Sequence, residues 1–192
     1  MGLRTSIRRF LVRKGVNVPG VLIREHDRVF HEALAKVQPG MVMLDIGAHR
    51  GETAAAFAAR GATVFAFEPN PDIYPELEQR ARNTPEIYAE NVGVLDRSGT
   101  LPLYLSEEYS NDPAQYSECS SFLSEKPNVS ASNAVQVPVR DILEVIDGVG
   151  AKIDILKLDV EGAEYRILTK LVKSDAISKV DRVYVETHHD RI

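Results

Sequence analysis

Residues 42–51 read Val42-Met43-Leu44-Asp45-Ile46-Gly47-Ala48-His49-Arg50-Gly51. All but one of the first five residues are apolar, and a helical pattern over residues 52–60 follows the glycine-containing stretch at once. This order predicts a buried strand, a tight glycine turn and a helix whose first N–H groups point back across the turn. A second strand, at residues 63–67, is followed by Glu68, roughly 20 residues after the first glycine, where a carboxylate can bind ribose hydroxyls. We therefore predict a site for a nucleoside-containing cofactor.

Length and composition favour a single α/β domain. The 192 residues are 44% hydrophobic, which is enough for one substantial core. The net charge of −5 gives no reason to expect a nucleic-acid partner. The single cysteine, Cys119, excludes an intramolecular disulfide framework and favours a reducing compartment. Because neither a signal peptide nor an apolar run long enough for a membrane helix is visible, we predict a soluble, cytoplasmic protein.

The chain is predicted to have two parts, a helical extension at residues 1–40 and the cofactor-binding domain at residues 41–192. A basic amphipathic helix is expected within residues 1–20, and a second helix at residues 27–37. The basic helix either packs on the domain or makes a weak peripheral contact with an anionic membrane surface. We prefer the first alternative.

After the second strand, apolar runs alternate with helical patterns. Strands are predicted at residues 88–94, 100–105, 135–139, 153–158 and 182–187, and helices at residues 71–83, 141–146 and 163–172. The alternation predicts a mostly parallel sheet with helices on both faces, with its ligand site outside the C-terminal ends of the strands. Residues 106–132 lack periodicity, and we expect this surface excursion to cover an acceptor.

The glycine turn favours S-adenosylmethionine over a dinucleotide. In this region, where a dinucleotide fingerprint has glycines that let the backbone touch a pyrophosphate, the chain has Asp45 and Ala48. A carboxylate here suits a ligand that carries an ammonium or sulfonium group and no phosphate. A nicotinamide-dependent oxidoreductase is the second enzymatic interpretation, and Ala48 argues against it.

Three segments resemble the signature segments of the FkbM family of S-adenosylmethionine-dependent methyltransferases, and they occur in the family's order. They are Leu-Asp-Ile-Gly-Ala-His-Arg-Gly at residues 44–51, Ala-Phe-Glu-Pro-Asn-Pro at residues 66–71 and Ile-Leu-Lys-Leu-Asp-Val-Glu-Gly-Ala-Glu at residues 155–164. The strand at residues 183–186 resembles the family's next segment. The resemblance implies a Rossmann-like class I methyltransferase fold and O-methylation of a hydroxyl on a sugar, glycan or secondary metabolite.

The resemblance also implies particular cofactor contacts. Expected along the methionine part of the cofactor are Gly47, Ala48 and Gly51, on its ribose hydroxyls Glu68, and near its adenine Asn91 and Val92. One departure is His49, where the family often has asparagine. Asp45 is predicted either to touch the ligand or to bond the N–H groups of the turn.

Methyl transfer to a hydroxyl needs in-line positioning and is helped by a base. The candidate bases follow strand ends and are Asp159, Glu161 and His188. Glu161 is equally well explained as negative charge at the start of the next helix. With Glu186, these residues could surround a divalent cation, but their spacing is not that of a known metal motif, and we predict no metal.

An alternative from another class is a non-catalytic cofactor-binding module with an incomplete acceptor site. The family sheet finishes with two further strands after the one that holds Glu186, whereas this chain stops at Ile192. The sequence therefore predicts cofactor binding more directly than it predicts turnover.

Overall fold

The computed structural model describes residues 21–23, 32–106, 120–124 and 132–186. The predicted basic helix, most of the excursion and the residues His188 and Cys119 lie outside these ranges. The membrane contact, the cytoplasmic location and the two-part division of the chain therefore stay predictions. Within the described ranges, no helix has the length and apolar character needed to cross a membrane.

The described residues form a regular succession of strands and helices. The strands are β1 (Val21–Ile23), β2 (Val42–Ile46), β3 (Thr63–Phe67), β4 (Ile87–Glu90), β5 (Gly93–Leu95), β6 (Gly99–Tyr104), β7 (Ala134–Asp141), β8 (Ile153–Leu158) and β9 (Val180–Val185). The helices are α1 (Glu52–Ala58), α2 (Tyr74–Asn83), α3 (Ile142–Val149) and α4 (Glu164–Lys173), with a 3-10 turn at Ala176–Lys179. Helix 27–37 is described only from residue 32, and residues 32–34 are helical.

A parallel sheet in the order β1-β9-β8-β2-β3-β4 forms the centre of the molecule. Successive residues of β2 enter different cores, because side chains of a strand alternate between the faces of the sheet. Met43 packs with Phe57 of α1 and Leu77 of α2, whereas Leu44 packs with Ile167 of α4. The predicted parallel sheet with helices on both faces is confirmed.

The predicted strand at residues 88–94 is wrong in one respect, because it is two strands in two sheets. β4 ends the central sheet, and β5 joins a second sheet in the order β5-β7-β6. Asn91 lies at the break, and its side-chain amide donates to the carbonyls of Glu68 (2.8 Å) and Pro69 (3.3 Å). The chain turns there instead of continuing the ladder with β3.

Strand β1 was not predicted. It pairs in parallel with β9, with Val21 opposite Val183 and Ile23 opposite Val185. The edge beyond β9, where the sequence interpretation left the sheet open, is therefore paired.

Two local predictions concern helix starts. The helix predicted to begin at residue 141 is present, and the carboxylate of Asp141 caps it by accepting a hydrogen bond from the N–H of Leu143 (2.9 Å). Helix α2 begins at Tyr74 rather than at residue 71. The Asn70 side chain accepts from the N–H of Asp72 (3.0 Å), forming a turn that precedes the helix.

Candidate functional site

The site lies at the C-terminal ends of the three central strands. Ile46 of β2 is in register with Phe67 of β3 and with Leu158 of β8. The residues that follow these three strand ends therefore start side by side, and the loops after the strands form a rim. This is the position in which ligands bind to open parallel sheets.

The first rim segment is the glycine turn at residues 47–51. Its backbone has unusual dihedral angles and is held by hydrogen bonds to β3. Positive φ angles occur at Gly47 (79°), His49 (52°) and Gly51 (83°). The N–H groups of Gly47 and Ala48 both donate to the carbonyl of Phe67, at 3.0 Å each. The turn is thus fixed to the end of β3 before any ligand is considered.

Both glycines are needed because the protein itself occupies the space of a side chain. A Cβ atom at Gly47 would lie 1.8 Å from the carbonyl oxygen of Asp159, and one at Gly51 would lie 2.7 Å from Cδ1 of Leu77. The Ala48 side chain is also buried in the core. The side-chain positions of these three predicted cofactor contacts therefore face the protein, so a ligand along this turn would meet its backbone.

At the end of β3, Glu68 is held in a defined orientation. Its Oε2 accepts from the N–H of His49 (2.8 Å) and its Oε1 from the N–H of Asn70 (2.8 Å). The residue is 7% exposed. Burial raises the pKa of Glu68 to about 7, although the two N–H donors and the charge of Lys157 oppose this change. Since each carboxylate oxygen has two lone pairs, both oxygens keep acceptor capacity for hydroxyl groups.

Between β2 and β8, the largely buried Lys157, whose side chain is 16% exposed, joins two carboxylates and the glycine turn. The ammonium of Lys157 donates to the carbonyl of Gly47 (2.9 Å) and lies 3.1 Å from Oδ1 of Asp45 and 3.3 Å from Oδ2 of Asp159. Burial lowers the pKa of Lys157, but the two carboxylates outweigh burial and raise it above its ordinary value. Lys157 is therefore a cation at neutral pH.

The structure gives Asp45 a partner that the sequence analysis did not consider. The carboxylate is fully buried and faces Lys157, its register neighbour on β8. Burial raises the pKa of Asp45, and the charge of Lys157 opposes that change. Asp45 thus acts on the turn indirectly, because it pairs with Lys157, which bonds the Gly47 carbonyl.

The third rim segment, which joins β8 to α4, holds two of the predicted bases. Asp159 continues the ladder, because its N–H donates to the carbonyl of Ile46 (3.0 Å), and its side chain is 26% exposed. Glu161 and Gly162 have positive φ angles of 54° and 115°. The carboxylate of Glu164 accepts from the N–H of Gly162 (3.0 and 3.1 Å) and so stabilises this loop.

The segment at residues 120–124 contacts two of the three rim segments and strand β5. The hydroxyl of Ser121 donates to the carbonyl of Glu161 (2.7 Å), and Leu123 packs over Gly162. Phe122 packs over Gly93, and the hydroxyl of Ser120 is 3.5 Å from the side-chain amide of Asn70. The excursion predicted to cover the acceptor therefore lies on the rim at this segment.

The remaining predicted residues are near Glu68 or outside the described chain. The side chain of Asn91 holds the carbonyl of Glu68, and Val92 is buried in the core beside β5. The N–H of Glu186 donates to the carbonyl of Leu158 (2.9 Å), which brings the end of β9 to the rim. His188 is not among the described residues. Among those residues, no group of three histidine, cysteine, aspartate or glutamate side chains could hold a metal ion.

Sequence reasoning missed Lys157, Asn70 and Ser121. Lys157 had a usable signal, because a lysine in the middle of a mostly apolar strand needs a partner and Asp45 holds the equivalent position in β2. Asn70 had been considered only as part of the segment at residues 66–71. Ser121 had no local signal, since its partners are distant in the sequence.

The charges at the rim define the class of ligand that fits. The carboxyl groups of Asp45, Asp159 and Glu68 lie around the one ammonium of Lys157, although Glu68 is only partly ionised at neutral pH because burial raises its pKa to about 7. Such a site suits a ligand with cationic groups and a diol better than a phosphate. Together with the glycine turn after β2 and the acidic end of β3, it has the form expected of the Rossmann-like class I methyltransferase fold.

Comparison with known proteins identifies the family. The model of the FkbM methyltransferase domain matches residues 45–191, so the chain belongs to the FkbM methyltransferase family, as predicted. It is 28% identical over 167 residues to the hexuronic acid methyltransferase AglP of Haloferax volcanii. That match covers 86% of this chain and 64% of the relative, so the chain spans less than two-thirds of the relative's length.

Similar solved structures include two other methyltransferases. A putative rRNA-methylase from Clostridium thermocellum has a TM-score of 0.31 and 15% identity, over 34% of this chain and 39% of that chain. A precorrin-6y C5,15-methyltransferase from Geobacter metallireducens has a TM-score of 0.30 and 17% identity, over 41% of this chain and 47% of that chain. These superpositions are partial, and the family match carries the identification.

Proposed function

We propose that this chain binds S-adenosylmethionine at the rim of β2, β3 and β8 and transfers its methyl group to a hydroxyl of a sugar, glycan or secondary metabolite. The observation that carries this proposal is the orientation of Glu68, whose carboxylate is fixed by two N–H donors at the end of β3. Family membership supports the reaction. The relative AglP, named as a hexuronic acid methyltransferase, supports a sugar as the acceptor.

Each rim segment has a role in this proposal. Glu68 accepts hydrogen bonds from the ribose hydroxyls, and the backbone of residues 47–51 lies along the methionine part of the cofactor. On the adenine side lie Asn91 and Val92. The excess of carboxylates over ammonium groups favours the cationic end of the ligand. When bound, S-adenosylmethionine supplies an electrophilic methyl group.

The protein's contribution to the reaction is positioning and proton removal. An acceptor hydroxyl held in line with the methyl group must lose its proton as its oxygen is methylated. Asp159 and Glu161 lie on the β8–α4 loop, are partly exposed and are the proposed bases. The hydroxyl of Ser121 donates a hydrogen bond to the carbonyl of Glu161, and this bond fixes the backbone that carries the Glu161 carboxylate. His188 stays a predicted third candidate.

Calorimetric titration with S-adenosylmethionine, S-adenosylhomocysteine and NAD tests cofactor binding. We expect micromolar binding of the first two and none of NAD. Binding of NAD alone would favour the oxidoreductase, and binding of none of the three would contradict the proposal. Saturable cofactor binding without methylation of any acceptor would favour the non-catalytic module.

Turnover is tested with a panel of hexuronic acids, neutral hexoses and their glycosides, following S-adenosylhomocysteine release and the mass of the product. Asp159→Asn and Glu161→Gln remove the proposed bases. The variant that lacks the true base should lose about 10²–10⁴-fold in kcat while its affinity for S-adenosylmethionine stays close to that of the wild type. Unchanged kcat in both variants would refute the assignment of the base to these two residues. Glu144→Gln, on α3, is the matched carboxylate control.

A further inference from the structure

The Gly47–Ala48 peptide group is held at both of its polar ends. Its N–H, from Ala48, donates to the carbonyl of Phe67 (3.0 Å), and its C=O, from Gly47, accepts from the ammonium of Lys157 (2.9 Å). The two anchors belong to strands on opposite sides of β2. The Lys157 ammonium is thus the contact that holds the carbonyl end of this peptide plane, whose Gly47 has a positive φ angle.

The ammonium of Lys157 bonds the turn and also pairs with two carboxylates. An ammonium group has three N–H donors, and three oxygens surround it, from Gly47, Asp45 and Asp159. The β2–β8 register places Asp45 directly opposite Lys157, and Asp159 follows Lys157 by two residues on the same face. The lysine is therefore a junction between two strands and the turn.

We propose that Lys157 is a positioning residue of the cofactor site, which fixes the glycine turn through the Gly47 carbonyl and neutralises the buried charge of Asp45. This inference rests on the proposed function, because it states how the same site is kept in a binding-competent shape. Lys157 acts through the turn and does not contact the reacting atoms.

A single substitution would confuse positioning with folding. Lys157→Met removes the anchor but also leaves Asp45 buried without a counter-ion, which destabilises a protein strongly. In the double variant Asp45→Leu/Lys157→Met both charges are absent, and replacing a buried ion pair by apolar side chains of similar shape often preserves stability. The double variant therefore keeps the net charge and loses the anchor of the turn.

The chain offers a matched control in Lys170. Its ammonium donates to the carbonyl of Asp96 (2.7 Å) and pairs with Asp141, which joins α4 to the second sheet. Lys170→Met thus removes a lysine that also bonds one carbonyl and one carboxylate, but at another place in the fold. A general cost of removing such a lysine should be seen in both variants.

The experiment combines thermal unfolding, calorimetric titration with S-adenosylmethionine and S-adenosylhomocysteine, and amide hydrogen exchange of the ligand-free protein. We expect the double variant to regain most of the Tm lost in Lys157→Met, yet to bind both ligands about tenfold or more weakly than the wild type, as for loss of a charged hydrogen bond. The amide of Ala48 should exchange faster in the double variant. In Lys170→Met, the Tm should fall, while affinity and Ala48 exchange stay within about twofold of the wild type.

The outcomes separate this inference from the function on which it rests. If the double variant is folded, binds both ligands within about twofold of the wild type and protects Ala48 equally well, Lys157 is not a positioning residue. If the wild type binds neither ligand, the proposed function fails, and the exchange of Ala48 still decides whether Lys157 holds the turn. A loss of affinity for S-adenosylmethionine alone would show that Lys157 acts through charge, which would also overturn the inference.

Discussion

Cofactor binding should depend on pH near neutrality because of Glu68. The residue is 7% exposed, and burial raises the pKa of its carboxyl group from the ordinary 4.5 to about 7. Ribose hydroxyls donate hydrogen bonds most strongly to an ionised carboxylate. The cofactor therefore stabilises the ionised form, and the pKa of Glu68 falls when the cofactor binds. At about pH 6, binding should release a proton, and affinity should rise by up to tenfold per pH unit until about pH 7.

The same pKa sets the effect of Glu68 on stability. Between pH 4.5 and about 7 the folded protein binds more protons at this position than the unfolded chain does. The contribution of Glu68 to the free energy of unfolding is therefore fully present below pH 4.5 and is lost as the pH rises through about 7. At about 1.4 kcal/mol for each tenfold change in proton affinity, the loss amounts to about 3 kcal/mol. In Glu68→Gln, this part of the pH dependence should disappear.

Isothermal titration calorimetry in two buffers of different ionisation enthalpy measures the released proton directly, and urea unfolding at a series of pH values measures the stability term. The control is Glu144→Gln. In the wild type, the carboxylate of Glu144 on α3 accepts a hydrogen bond from the hydroxyl of Ser98. This variant should retain both effects. The reasoning is refuted if wild-type affinity is the same at about pH 6 and about pH 8. It is also refuted if Glu68→Gln releases as many protons as the wild type.

Two further predictions concern glycines of the rim. Gly47→Ala should lower the free energy of unfolding by about 3 kcal/mol or more, because the new Cβ would lie 1.8 Å from the Asp159 carbonyl oxygen. The control is Gly40→Ala, at a residue with a similar φ of 86° and with nothing within 4 Å of the added Cβ. It should lower the free energy of unfolding by only about 1 kcal/mol. Equal losses in urea unfolding would show that the close contact is not the cause. Gly162→Ala should lower kcat and the free energy of unfolding. Adding Leu123→Ala should recover only the loss caused by the 2.6 Å contact with Leu123, since alanine remains strained at a φ of 115°. Full recovery in unfolding and activity assays would show that the backbone conformation makes no contribution.

The central strands were predictable because the local pattern and the tertiary environment agree. The predicted strands at residues 63–67 and 153–158 have the bounds of β3 and β8. Both strands are apolar runs that end in polar residues, as expected for strands that are covered on both faces of a parallel sheet. The helices on the two faces then follow from the alternation of strands and helical patterns.

The second sheet was not predictable from periodicity alone. Residues 88–94 form one apolar-rich run, and nothing in that run indicates that β4 and β5 belong to different sheets. The break depends on Asn91, whose amide bonds carbonyls more than 20 residues earlier in the chain. Strand β1 likewise depends on β9, a partner about 160 residues away in sequence.

Some residues of the site could be predicted from their place at a strand end, and others only from the pairing of the strands. Glu68 was predicted from its place after β3, because an acid at that strand end has a chemical role that does not depend on its neighbours. For Asp45, the sequence left two roles open, and the structure shows a third feature, a carboxylate that faces Lys157. Asp45 and Lys157 each stand one position before the end of a mostly apolar strand. The parallel pairing of β2 with β8 places these two positions opposite each other. Because a buried charge is costly unless it is paired, an acid and a lysine at equivalent positions of two central strands should be interpreted as one ion pair before either is assigned to a ligand.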